Sequence, residues 1–419
     1  MAADRAGCWA GYALRNEPPR SPLPGTACEA ALPSRRQAEI LRGRIEKQYI
    51  YFGDATWQGK GSLAQLAAYT TSTFQIKLMK QSIIFFALFA WLCGPSETLK
   101  AQSGSGYHVV STFHIASPGG WDYPAVHQKS NKLYLSHATQ VNILNKETGD
   151  SINFIPNTTG VHGIAFADAF GKGYTSNGRL NNVTVFDLRS GKVLKQIATG
   201  KNPDWILYDG YSKKIITSNH TGGDLSIIDP AIDTVVATIP IIGNKLETIV
   251  TDNAGKIFVN AEDKNEIVAV DMKTYAVTSH WSLSPGEGPT GLCYDAKTKR
   301  LFSACDKLLV VMDAATGKII AKLPIGDGCD GAAFDPATKL IFTANGEGTV
   351  TVIKEIGPDE FKVIDQVPTK KGARTITLDE KSHRLYLPTA DFEPLPAGAP
   401  KGQRPKIIPG SFQVLVIGK

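Results

Sequence analysis

Methionine and cysteine are scarce in this chain, at four and six of 419 residues. So few cysteines exclude a disulfide-dense scaffold, and the low methionine count disfavours an all-helical chain. No apolar run reaches the roughly eighteen residues of a membrane-spanning helix. Several chemical signatures are also absent. The chain has no Gly-x-Ser-x-Gly elbow and no Gly-rich loop leading into Lys-Ser/Thr, which removes the common nucleophile and phosphate-loop readings. It has no His-x-x-x-His or Cys-x-x-Cys element, so no preassembled transition-metal site of those types is encoded locally.

Charge of one sign is weak as well. The formal net charge is +6, but residues 1–101 hold 12 Lys/Arg and 7 Asp/Glu, leaving 33 and 32 for residues 102–419. The remaining chain is thus nearly neutral at +1, and nucleic acid is not an expected partner.

The first hundred residues read separately. Met79 opens Met-Lys-Gln-Ser, and Ile83 to Cys93 is almost wholly apolar. A basic start, a short apolar segment and a small residue at Ala101 predict a signal peptide over 79–101, cleaved before Gln102. Residues 1–78 are Arg-, Ala- and Pro-rich with no sustained period. They are expected to be a non-native or disordered extension, with translation starting at Met79; the alternative is a cytoplasmic extension on a signal anchor. The expected location is periplasmic or secreted, with no membrane span in the mature chain.

What is abundant is glycine, 40 residues, together with β-branched runs between turn residues, which points to a turn-rich β protein. One short pattern returns seven times: Tyr134-Leu135-Ser136-His137, Tyr174-Thr175-Ser176-Asn177, Ile216-Thr217-Ser218-Asn219, Phe258-Val259-Asn260-Ala261, Phe302-Ser303-Ala304-Cys305, Phe342-Thr343-Ala344-Asn345 and Tyr386-Leu387-Pro388-Thr389. The mean spacing is 42 residues, (386 − 134)/6, the length of one four-stranded propeller blade. The third unit divides into strands a to d at Trp205–Tyr208, Lys214–Ser218, Leu225–Ile228 and Val235–Ile239. The last unit ends with Val414–Ile417 as its strand c. The run Val109–Ile115 supplies the missing strand d, so a seven-bladed all-β propeller closed by its N-terminal strand is predicted. Asp187, Asp229, Asp271 and Asp313 recur after strand c as turn formers.

The Tyr-Thr-Ser-Asn at 174–177 is similar to the signature of YVTN-repeat propellers. The span 107–419 resembles the YncE-like family of secreted bacterial seven-bladed propellers, although blades 1, 4, 5 and 7 depart from the motif. The resemblance implies the architecture and no settled enzymatic activity.

Two rings of residues are expected at the channel mouth. Just before each strand a stand Asp122, His162, Asp204, Glu247, Thr290, Asp330 and Arg374. The last residues of the repeated motif add His137, Asn177, Asn219 and Asn345, beside Ala261, Cys305 and Thr389. Converging carboxylates raise one another's pKa unless a cation offsets them. Asp122, Asp204, Glu247 and Asp330 are the candidate metal ligands. Their oxygens suit a hard cation such as calcium or magnesium, and histidine would admit zinc or manganese. The alternative is an inert, water-filled polar rim whose Asp and Asn cap turns.

One connection breaks the repeat. Residues 390–411 in blade 7 carry Pro394, Pro396, Pro400, Pro405 and Pro409, so an extended loop over the same mouth is expected. It is either a lid reaching a ligand with Phe392, Lys401 and Arg404, or a solvated excursion. Cys293, Cys305 and Cys329 are the cysteines after the cleavage site; Cys293 reads as core. A Cys305–Cys329 disulfide is a candidate, provided their Cα atoms approach within about 7 Å.

The leading functional expectation is a non-enzymatic, monomeric binding module holding a small ligand, cation or protein segment at the mouth. A metal-dependent lactonase-like hydrolase at the same mouth is the first alternative, though such enzymes have six blades. A redox role akin to heme d1 or copper propellers is the second. Against it stand the missing Cys-x-x-Cys-His and the lack of clustered histidines.

Overall fold

The computed structural model describes residues 104–419 apart from 116, 118, 397, 399 and 401–404. The signal segment, the N-terminal extension, Lys401 and Arg404 lie outside these residues. Among the described residues, 28 strands form seven four-stranded sheets. Six sheets are consecutive meanders, each built from the unit recognised in the sequence. The third, for instance, comprises Pro203–Asp209, Lys214–Asn219, Asp224–Asp229 and Thr234–Pro240. Its strands extend the sequence reading by one or two residues, because the ladders run on into the turns.

The seventh sheet is composite. Its strands run Thr377–Asp379, Arg384–Thr389, Gln413–Gly418 and then the N-terminal His108–His114. His108 pairs with Gly418 and His114 with Gln413, antiparallel. The innermost strands touch one another in ring order, and Thr377–Asp379 meets Trp121–His127 of blade 1. The fold is therefore a seven-bladed β-propeller.

Burial follows position in the blade. Strand b of blade 3 is buried on both faces, whereas its outermost strand alternates between exposed and half-buried residues. Alternate residues of the inner strands feed the cores on the two sides of a blade. In blade 5, Leu301 and Cys305 pack toward blade 4 with Phe258, Ile267 and Leu283. Phe302 and Ala304 pack toward blade 6 with Ile341 and Ile353. Turn chemistry is supplied locally by aspartate. Asp313 accepts the backbone N–H groups of Ala315 and Thr316, and these bonds help hold its carboxyl below the ordinary range although burial opposes them.

The expected Cys305–Cys329 bridge is not formed; Cys293, Cys305 and Cys329 are free and buried. The two sulfurs serve different cores. Cys305 belongs to the contact between blades 4 and 5, and Cys329 to the one between blades 5 and 6. Burial pushes the Cys305 and Cys329 thiols up to about 12. Thiolate is the reactive form, so in the native protein all three should resist alkylation by iodoacetamide. Peptide mass spectrometry should find them labelled only after denaturation, and native labelling of Cys305 or Cys329 would contradict this packing.

Candidate functional site

The mouth of the channel is built by a repeated irregularity. In five blades the pairing of strands a and b slips where strand a begins: between Trp121 and Pro124, Val161 and Ile164, Pro203 and Ile206, Leu246 and Ile249, and Cys329 and Gly331. Asp122, His162, Asp204, Glu247 and Asp330 all fall inside these slips. A β-bulge re-aims a side chain and leaves an unpaired backbone group. The motif serine repairs the loss: Ser136, Ser176 and Ser218 Oγ accept the N–H groups of Asp122, Gly163 and Trp205 at 2.9, 2.8 and 3.1 Å. Ser176 also donates to the Asp204 carbonyl of the next blade. Serine in the repeat thus fixes the backbone that carries the rim side chains. Close approach of neighbouring blades just below the rim requires glycine at 291, where a Cβ would stand 2.7 Å from the Ala332 nitrogen.

The rim side chains form a chain of charges that follows the blade order. Arg374 Nη1 donates to Asp330 Oδ2 at 2.8 Å, and Arg374 Nη2 stands 3.6 Å from Asp122 Oδ1. Asp122 Oδ2 lies 2.5 Å from His162 Nδ1, which is also 3.0 Å from Asp204 Oδ1. Asp204 is hydrogen-bonded to Glu247, and Glu247 Oε1 is 3.0 Å from His220 Nδ1. Tyr123 reaches across from blade 1, its hydroxyl 3.5 Å from Glu247 Oε2. Below this layer the Tyr123 ring meets Trp205 edge-on at 4.7 Å. The strands beyond wall a mainly apolar channel of about 380 Å³.

Burial dominates the electrostatics. It pushes the Asp204 carboxyl well above the ordinary range, Glu247 adding to the effect and His162 opposing it. Glu247 is pushed up to about 8, first by burial and then by the charges of Asp330, Glu262 and Asp122. Burial raises Asp330 too, with Arg374 opposing. Burial works against charge on His162, but the bond to Asp122 and the charges of Asp204, Asp122 and Glu247 outweigh it and lift the imidazole to about 9.

Two ligand sets share one residue. Asp122, His162 and Asp204 bring one ligand atom each within 4.8 Å of one another, and so do Asp204, His220 and Glu247. Asp122 Oδ1 is buried with no hydrogen-bond partner among the described residues. His220 and Tyr123 were missed by the sequence reading. His220 directly follows the last motif residue, where the b–c loop meets the mouth, and that placement was the available signal. Tyr123 reads as an ordinary strand residue.

The second expected ring is directed elsewhere. Thr175, Thr217 and Thr343 donate their hydroxyls to the side-chain oxygens of Asn177, Asn219 and Asn345. The amide nitrogens of these asparagines donate to Thr184, Ser226 and Thr351 on strand c, at 2.8, 2.9 and 2.9 Å. The Thr-x-Asn of the motif is an internal clasp of blades 2, 3 and 6. His137 is similarly committed: its ring contacts Ser117 Oγ and Gly119 O and stacks on Phe412 at 4.0 Å. Burial lowers its pKa despite these bonds. Thr290 donates to the Cys329 carbonyl at 2.8 Å and carries no charge to the rim. The 390–411 loop does reach this end of the molecule. Phe392 packs on Trp121, next to Asp122, with ring centres 6.0 Å apart.

A clasp and a ligand group respond differently to truncation. Asn219→Ala should cost about 1–3 kcal/mol, through the buried partners it strands, in urea unfolding. It should leave cation affinity at the mouth unchanged; a selective loss of affinity would return Asn219 to the site.

No family model matches the chain, and no curated protein matches it. Among solved structures it is similar to Kuenenia stuttgartiensis hydrazine synthase, at 15% identity and a TM-score of 0.57 over 65% of this chain and 94% of that one. It is also similar to the WD40 repeats of RRP9, at 9% identity and a TM-score of 0.62 over 74% and 97%. At such identities the likeness is one of fold, and it places the chain among β-propellers.

Proposed function

We propose that the chain is a β-propeller binding module whose channel mouth takes a divalent cation, alone or as part of a small ligand. The supporting observation is the run Asp122–His162–Asp204–Glu247–His220, buried at Asp204 and Glu247 and half-buried elsewhere, in which two three-residue ligand sets share Asp204. With the asparagine amides committed inside the blades, the remaining donors are carboxylate oxygens and imidazole nitrogens. That set favours zinc or manganese over calcium. The Tyr-Thr-Ser-Asn repeat supports a place among YVTN-repeat propellers, and the apolar run after Met79 supports export to the periplasm or medium. No helix among the described residues is long and apolar enough to cross a membrane.

The pH dependence has a definite sign. Glu247, raised from 4.5 to about 8, and His162, raised from 6.5 to about 9, hold protons in the folded chain that the unfolded chain has released. Stability from these groups is therefore present at low pH. It is lost as pH rises through about 8 and then about 9. A divalent cation replaces those protons, so its affinity rises with pH. Titration calorimetry of the full chain with Mn²⁺ and Zn²⁺ should show binding that strengthens from pH 6.5 to 9. The accompanying rise in Tm should grow over the same range. Asp204→Asn should weaken binding by more than the roughly 10–100-fold typical of outer-shell partners. Absence of binding at pH 9, or an unaffected Asp204→Asn, would sink the reading.

A further inference from the structure

The opposite end of the molecule carries a second departure from the repeat, at the seam where blade 7 meets blade 1. In six blades strand b begins with a base: Lys132, Lys172, Lys214, Lys256, Arg300 and Arg384. Three of these tie their blade to the c–d turn of the next one. Lys132 Nζ donates to Leu188 O at 2.9 Å, Lys172 Nζ to Pro230 O at 2.9 Å and Arg300 Nε to Pro358 O at 2.8 Å. Lys214 instead pairs with Asp229 of its own blade. Arg384 stands beside the corresponding turn of blade 1, and its side chain, like that of Lys256, makes no hydrogen bond or ion pair among the described residues.

What sets the seam apart is the residue in that turn. The position after strand c is Leu188, Pro230, Met272 and Ala314 in blades 2 to 5, and Glu355 in blade 6. In blade 1 it is Lys146, whose side chain is 8% exposed and whose Nζ donates to Asp379 Oδ1 at 2.9 Å. Lys146 also gives its carbonyl to the Tyr386 hydroxyl at 2.7 Å. An ammonium has three protons to donate, and Lys146 has no second acceptor among the described residues. A buried cation thus stands where other blades are mostly apolar, and with Arg384 it lines a cavity of about 810 Å³.

Four cations line it, Lys129, Lys146, Lys381 and Arg384, against the carboxylates Glu147 and Asp379. Asp379 is taken by Lys146, and Lys129 stands 3.1 Å from Asp168 outside the cavity. Lys381, Arg384 and the spare protons of Lys146 therefore face the space with Glu147 as the remaining acid. A guanidinium fork with two ammonium groups matches a compact oxyanion carrying more than one charge.

We propose that this seam pocket binds a small multivalent oxyanion, inorganic phosphate or a phosphate monoester, between Arg384, Lys381 and Lys146. The site is separate from the channel mouth and independent of the cation reading. The test is calorimetric titration of the full chain with inorganic phosphate and with glycerol phosphate, at fixed ionic strength. Phosphate stabilises proteins generally by exclusion, so the decisive signal is the difference between wild type and variant. Arg384→Gln and Lys381→Gln remove half-buried and exposed cations whose charged groups make no hydrogen bond or ion pair among the described residues, so both variants should fold. Each should weaken binding about tenfold or more, as the loss of a charge-assisted hydrogen bond does. Asp204→Asn, at the other end, should titrate like wild type. Tighter binding of one probe identifies the free ion or the ester as the source, and either supports the site. Two outcomes overturn the proposal: no binding of either probe up to roughly 10 mM, or wild-type affinity in Arg384→Gln.

Discussion

The pairing of His108–His114 with Gln413–Gly418 is the constraint on which the rest of the molecule depends. A sheet of four strands has two edges, and an exposed edge invites further pairing. Here the last blade is completed by the first described strand, so the first and last strands share one sheet and the seven blades close on themselves. Closure fixes the inner strands around a common axis. Seven different loops thereby deliver their first strand residue to the same small area. No local sequence element contains the mouth; it exists only because the ring is shut.

Closure alone would bring the rim residues near the axis without aiming them. The bulges do that, and the motif serines make the bulges affordable by accepting the N–H groups they release. The resulting crowding has an electrostatic consequence. Burial and neighbouring carboxylates raise Asp204, Glu247 and Asp330, as like charges in a dry place do unless opposite charge offsets them. Arg374 answers part of the charge at Asp330, and His162 sits between Asp122 and Asp204. Glu247 and Asp204, raised by burial, hold their protons to higher pH than free carboxyls do, and those protons are what a cation would replace.

Much of this was legible in the sequence because a propeller is periodic. The 42-residue spacing gave the blade length, the missing last strand gave the closure, and the variable position before strand a gave Asp122, His162, Asp204, Glu247, Asp330 and Arg374. Direction was harder to read. Asn177, Asn219 and Asn345 end strand b at the right height, but their side chains turn along the blade to strand c, a choice set by Thr175, Thr217 and Thr343 two residues earlier. Cys305 and Cys329 lie on adjacent blades yet belong to different cores, because side chains alternate across a strand. His220 and Tyr123 join the site through loop and cross-channel geometry that no spacing encodes.

A repeat also sorts its residues by what they are for. Positions that recur, such as the Thr-x-Asn clasp and the aspartates of the c–d turns, maintain the blade. Positions that vary where the repeat predicts sameness must answer to something else. At the mouth that variation produces an alternation of acids with Arg374 and His162 around a single axis. At the seam it produces Lys146 in a place that other blades fill with Leu188, Met272 or Ala314. Burying a lone ammonium is costly unless a partner meets it, and Asp379 supplies that partner across the joint between blades 7 and 1. The same ion pair that joins the two blades also stands in the wall of the seam pocket, beside the uncommitted side chain of Arg384. Closing the ring and lining the pocket thus draw on one buried lysine.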